Sequence, residues 1–146
     1  MRHGIRGLVI DPYNEIEHCR PSNMTETEYV SQLLGKVKRF AQQHGVHVWF
    51  VAHPAKLPRQ NGGERPVPAL YDISGSANWV DKADLGIVIH RDPDKDPTRV
   101  EIQVRKVRFK SVGKIGGVSL QWDRVTGRYS EIAAREPSVT RAYRDD

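Results

Sequence analysis

The sequence predicts an α/β domain whose sheet is mostly parallel and closes with an antiparallel hairpin, on three observations. Two largely apolar runs, one ended by Asp11 at residues 7–11 and one at 46–52, flank a stretch of helical periodicity. Strand, helix and strand in that order form a right-handed crossover with parallel strands. From Val100 onward the pattern changes to short strands and tight turns, as in hairpins. The chain has 146 residues, 38% of them hydrophobic, which suits one domain with a modest core.

Each element has a local reason. Gly-Leu-Val-Ile-Asp at 7–11 is a short apolar run ended by a carboxylate, as suits a strand buried on both faces. Residues 13–24 are polar and turn-like. Thr25 and Glu28 then make a Thr-x-x-Glu capping box. Tyr29, Leu33, Val37 and Ala41 follow at spacing four, with Val30, Leu34 and Phe40 beside them, while Glu26, Lys36, Lys38 and Arg39 fall on the other side. Gly45 is placed to end this helix in a left-handed turn. Residues 46–52, rich in β-branched and aromatic side chains, read as the second strand.

Pro54, Pro58, Pro66, Pro68 and the Gly62-Gly63 pair forbid regular structure over 54–70. Loops this long inside a domain are usually functional or disordered. A short helix around Trp79 and Val80 follows, then a third buried strand at 83–90. Strands at 100–109 and 118–122 are joined through the glycines of 113–117, and a turn at 123–127 leads into Tyr129. The domain is expected to span 1–132, with a polar, disordered tail at 133–146.

Composition excludes several classes. No apolar run approaches the ~20 residues of a membrane span, and no signal-peptide pattern opens the chain. Cys19 is the only cysteine, so neither an internal disulfide nor a thiolate zinc site can form. His44-x-x-His47 straddles a helix end and is discounted as a metal pair. A soluble, intracellular, basic domain is expected. The net charge is +5, and residues 99–114 hold six cations against Glu101, which accounts for all of it. Such a strip is the footprint of a protein that meets phosphate, or a cationic sheet edge that blocks aggregation.

Ligands of open α/β sheets bind beyond the carboxyl ends of strands. Those ends carry Asp11, His53 and His90-Arg91. An Asp before Pro is also a common turn starter, and loop histidines often do no chemistry. A strand ending in Asp beside one ending in a polar sensor nonetheless matches a nucleotide hydrolase, where the Asp holds magnesium through water. Lys106 and Arg108, two apart on a strand, project from one face. Apolar residues sit at even positions up to Val104 and at odd positions from Val107, so either a bulge lies near Arg105 or the strand leaves the core.

The ordered set Gly-Leu-Val-Ile-Asp (7–11), Trp-Phe-Val-Ala-His (49–53), Asp-Ile-Ser-Gly-Ser (72–76) with Lys-Ala-Asp (82–84), and Val-Arg-Lys-Val-Arg-Phe (104–109) resembles hexameric replicative DNA helicases. The likeness is to the DnaB-like group, of the Twinkle and phage primase-helicase type, and covers about residues 5–132. It implies a partial RecA-like P-loop NTPase core. It further implies that Asp11 is the Walker B aspartate and magnesium ligand, His53 the phosphate sensor, and Lys106 and Arg108 the lysine and arginine finger. Asp72, Ser74, Gly75, Ser76 and Asn78 would belong to a loop holding single-stranded DNA, with Lys56, Arg59 and Arg65 as further DNA contacts. ATP and Mg2+ are the implied cofactors of the intact helicase, and single-stranded DNA and copies in a hexameric ring the implied partners.

No Gly-x-x-x-x-Gly-Lys-[Ser/Thr] occurs in the chain. The expectation is therefore a C-terminal portion of a helicase core, lacking Walker A and the catalytic glutamate and inactive as an ATPase by itself. A bacterial or phage-infected cytoplasm is the expected location. The alternative is a non-catalytic module that binds single-stranded DNA or joins the ring.

Overall fold

The computed structural model describes residues 4–16, 18–59, 63, 65–73 and 77–132. Strands β1 (Gly7–Ile10) and β2 (His47–Phe50) pair in parallel, with Val9 opposite Trp49 and Ile10 opposite Phe50. Helix α1 (Glu26–His44) makes the crossover between them. Its start is the expected capping box. The Glu28 amide donates to Thr25 Oγ1 at 3.3 Å, and the Thr25 amide donates to Glu28 Oε2 at 2.9 Å. Gly45 ends it at φ 60°, a conformation that costs a residue with Cβ but not glycine.

After a long irregular stretch come helix α2 (Asn78–Lys82) and strand β3 (Leu85–His90), then β4 (Arg99–Val107), β5 (Gly116–Trp122) and β6 (Tyr129–Glu131). These four strands form an antiparallel sheet in chain order. Opposite β3 the register passes from Gly86↔Lys106 to Ile87↔Val104, so Arg105 is the extra residue of a bulge. The parity change read from the sequence is this bulge. The β5–β6 turn is closed by Asp123, whose carboxylate accepts from the amides of Val125 and Thr126, with Gly127 at φ 69°.

Two expectations are corrected. The sheet is not mostly parallel: among the described residues β1–β2 is the only parallel pair, and β3 joins β4 rather than the β1–β2 sheet. An apolar run reports burial, not which neighbour a strand takes, and the short 91–98 connection delivers β4 directly alongside β3. Nor are the strands buried on both faces. Val9 is 63% exposed, Trp49 49% and Ile89 68%, because no described element covers that side.

The covered side of β1–β2 holds the core. Tyr13, Val30, Leu34 and Trp79 are buried together, with Leu33, Phe50, Ala52 and Ile73 packed against them. The Trp79 ring stands edge-on to Tyr13 and Phe50, with centroids 5.0 and 5.1 Å apart. Each such pair adds about 0.5–1.5 kcal/mol beyond area burial. Tyr13, placed by sequence in a polar turn, is a core residue whose burial pushes its hydroxyl pKa up. The core therefore ties α1 and α2 to the carboxyl end of β1–β2, where the candidate residues lie.

Candidate functional site

Parallel pairing sets Asp11 and His53 on one rim. Past Ile10 and Phe50 the ladder continues through Val51, whose amide donates to the Ile10 carbonyl and whose carbonyl accepts from the Tyr13 amide, both at 2.9 Å. In the continued register Asp11 falls opposite Val51, and His53 follows two residues further along the same edge. The chain beyond His53 then runs beside the 72–73 segment: Pro54 bridges to Ile73, and the Ala55 amide donates to the Asp72 carbonyl at 2.7 Å. Asp11, His53 and Lys56 are all exposed, and among the described residues none of the three side chains has a hydrogen-bond or ion-pair partner.

The residues read as DNA contacts divide into several groups. Asp72 is a turn residue, its carboxylate accepting from the Ala69 amide at 2.7 Å. Asn78 begins α2 and donates through Nδ2 to the Thr27 carbonyl of α1. Arg59 and Arg65 both reach Asp94, at 2.9 and 3.2 Å. The Arg65 amide also donates to Asp92, holding that carboxyl below the usual range. These contacts draw the irregular loop to the carboxyl end of β3, where Arg65, His90, Asp92, Arg99 and Glu101 help line a groove of about 390 Å³. Arg59 and Arg65 are thus matched by carboxylates, whereas Lys56 is not. Ser74, Gly75 and Ser76 lie outside the described residues.

Lys106 and Arg108 gather where the end of β4 meets α2 and the start of β3. Val107 pairs with Leu85, the first residue of β3, and the Arg108 amide donates to the Asp84 carbonyl. The Lys106 ammonium donates to the Val80 carbonyl of α2. Arg108 donates through Nη2 to the Asp81 and Ala83 carbonyls and through Nε to Asp84 Oδ1, the last at 2.9 Å. Lys38 of α1 meets the same Asp84 oxygen at 2.8 Å. Asp11 is two residues from Tyr13, which packs with Val30, and Lys38 lies roughly 12 Å beyond Val30 along the helix axis. Asp11 and His53 therefore share one rim, and Lys106 and Arg108 share one junction, but among the described residues no hydrogen bond or ion pair joins the two pairs.

Sequence reading gave Asp84 and Lys38 no role. Lys38 falls on the polar side of α1, and the signal for Asp84 was its place closing the Lys-Ala-Asp (82–84) motif immediately ahead of a strand.

No family model matches the chain. The chain is similar to a Twinkle homolog. Over 134 residues it is 56% identical to the Twinkle homolog protein, chloroplastic/mitochondrial, of Arabidopsis thaliana. The match takes in 90% of this chain and 18% of that protein, so the chain spans under a fifth of the length of the curated relative. The resemblance read from the ordered motifs is met at the level of a Twinkle-like segment. The expected bacterial or phage-infected cytoplasm is overturned, since the similar protein is a plant protein named as chloroplastic and mitochondrial. No described helix is long and apolar enough to cross a membrane.

The donor set bears on the implied metal. Among the described residues no group of three His, Cys, Asp or Glu side chains could cage an ion. A magnesium ion asks for less: it keeps several waters and binds through one or two carboxylates plus substrate phosphates. The exposed, unpartnered carboxylate of Asp11 fits that role.

Proposed function

We propose that the chain works as part of an ATP-dependent replicative DNA helicase of an organelle, coupling ATP hydrolysis to movement along single-stranded DNA and duplex unwinding. The observation that carries this reading is the separation of the candidate residues into two groups with no contact between them among the described residues, combined with the Twinkle-like match. In a ring of copies, six by the family resemblance, head-to-tail contact would set the Asp11–His53 rim of one subunit against the Arg108 junction of the next.

Bound magnesium nucleotide would supply the scissile phosphoanhydride and a divalent charge near it. Asp11 would hold the ion through water. His53, the next exposed polar group on the rim, would donate a ring N–H to the terminal phosphate. Because the chain after His53 is bridged to Ile73, a shift of His53 would be felt directly by the segment leading to 74–78. Arg108 would stabilise charge on the transferring group as an arginine finger, with Lys106 beside it. The RecA-like core, the P-loop supplied from elsewhere in the longer polypeptide, and inactivity of the 146-residue chain as an ATPase by itself are part of this proposal.

The test is Arg108→Ala in the longer helicase polypeptide. Binding of single-stranded DNA should survive, while hydrolysis should fall by about 10³-fold or more, as expected for loss of a finger. Unchanged turnover would remove the assignment.

A second reading is favoured by the cations without partners. Arg105, Lys110 and Lys114 are exposed and lack ion-pair partners among the described residues, as does Lys56. A non-catalytic module that binds single-stranded DNA or joins the ring would use these alone, without ATP.

A further inference from the structure

The contacts around Arg108 go further than presenting a cation. Three of its five N–H donors are engaged by its own chain: Nε on the Asp84 carboxylate, and the two of Nη2 on the Asp81 and Ala83 carbonyls. Nη1, with its two donors, meets no partner among the described residues. A guanidinium is planar and rigid, so gripping one side of the fork fixes the direction of the other. The acceptors are themselves well seated. Asp81 is within α2 and Ala83 and Asp84 follow its last residue, and α2 is held by the buried Trp79 and Val80. Lys38 ties Asp84 back to α1.

We infer that Asp84 is a positioning residue for Arg108: it holds the guanidinium so that Nη1 alone faces outward, aimed at an oxyanion on the neighbouring surface. This rests on the reading of Arg108 as the finger. The bare alternative is that Asp84 only joins β3 to α1 through Lys38. The two differ physically, because a donor held in place before reaction need not be reorganised in the transition state.

The test uses the longer polypeptide assembled with ATP and single-stranded DNA, together with the 146-residue chain. Asp84→Ala should lower kcat about 10- to 100-fold, the cost of a small misplacement of a reacting group, and leave KM for ATP unchanged. Asp84→Asn, which keeps shape and one acceptor, should fall in between. Added to Arg108→Ala, Asp84→Ala should cost nothing further. Lys38→Ala, which removes only the link to α1, should change kcat less than about twofold, because the Arg108 contacts remain. In the 146-residue chain, Asp84→Asn should speed solvent exchange of the Arg108 Nε–H about tenfold or more with the thermal midpoint little moved.

An effect of Arg108→Ala on kcat without one from Asp84→Ala would overturn the positioning role alone. Equal losses from Lys38→Ala and Asp84→Ala would assign Asp84 to structure and also overturn it. If Arg108→Ala itself leaves kcat unchanged, the finger reading falls and this inference with it.

Discussion

Thr25 and Glu28 meet each other's needs at the start of α1, and the same chemistry recurs at the turns. Glu28 accepts from the Thr25 amide, Asp92 from the Arg65 amide, Asp96 from the Thr98 hydroxyl, and Asp123 from the Thr126 and Val125 amides. Each bond favours the ionised carboxylate, so each folded-state pKa lies below its usual value. Stability from these groups is complete above their ordinary pKa values near 4. It is lost as pH falls through the depressed folded-state values, because the unfolded chain binds protons first. Chemical denaturation should show a midpoint that is flat near neutrality and drops in acid. Thr25→Ala should cost about 1 kcal/mol at neutral pH and make the acid drop smaller, since Glu28 then loses its partner. An unchanged acid limb in the variant would show that the box is not the group titrating.

At the scale of elements, the bulge at Arg105 decides which way two cations point. Without the extra residue, Lys106 and Arg108 would continue the even-numbered face of Val100, Ile102 and Val104. With it, their carbonyl-bound heads lie against the end of α2. The tightest point of this junction is Gly86, opposite Lys106. A Cβ there would sit 2.5 Å from Leu70 Cδ1 and 3.1 Å from Lys106 Cβ. Leu70 can turn away in part, but the Lys106 stem starts from the paired strand and cannot. Gly86→Ala should therefore destabilise by about 1–3 kcal/mol, the usual cost of overpacking, read as a lower urea midpoint at unchanged slope. A neutral result would mean that the β3–β4 junction yields more easily than its pairing implies.

Across the whole molecule, charge and exposed apolar surface are distributed unevenly. Arg59 and Arg65 are matched by Asp94 and Arg99 by Glu101, while Lys56, Arg105, Lys110 and Lys114 have no ion-pair partner among the described residues and are left for an outside anion. Near them Phe109, Val112 and Ile115 are also exposed. Without ATP, the chain's affinity for single-stranded DNA should fall with salt, with a log–log slope of about −0.7 for each phosphate contact. Lys110→Ala and Lys114→Ala should each flatten that slope by about this amount and weaken binding to all sequences alike. A slope near zero would remove the nucleic-acid role of the strip. The bare sides of β1–β2 and β3, with Val9, Trp49, Leu85, Ile87 and Ile89 exposed, are the kind of surface that marks an interaction site.

Local chemistry was legible in the sequence because it is local. The capping box, Gly45, the Asp123 turn, the strands and the displacement near Arg105 each depend on residues a few positions apart, where propensity and period act. The rim pairing of Asp11 with His53 was legible too, since a strand–helix–strand crossover has one hand. Only the tertiary structure decided that β3 turns to an antiparallel partner, that Tyr13 enters the core, and that Arg59 and Arg65 are matched by carboxylates about thirty residues on. It alone joined Asp84, Lys38 and Arg108. These contacts connect residues 24 and 46 positions apart, and no periodicity in a chain records which distant charge will lie within 3 Å of another. That is settled by how helices and sheets stack to bury their apolar faces.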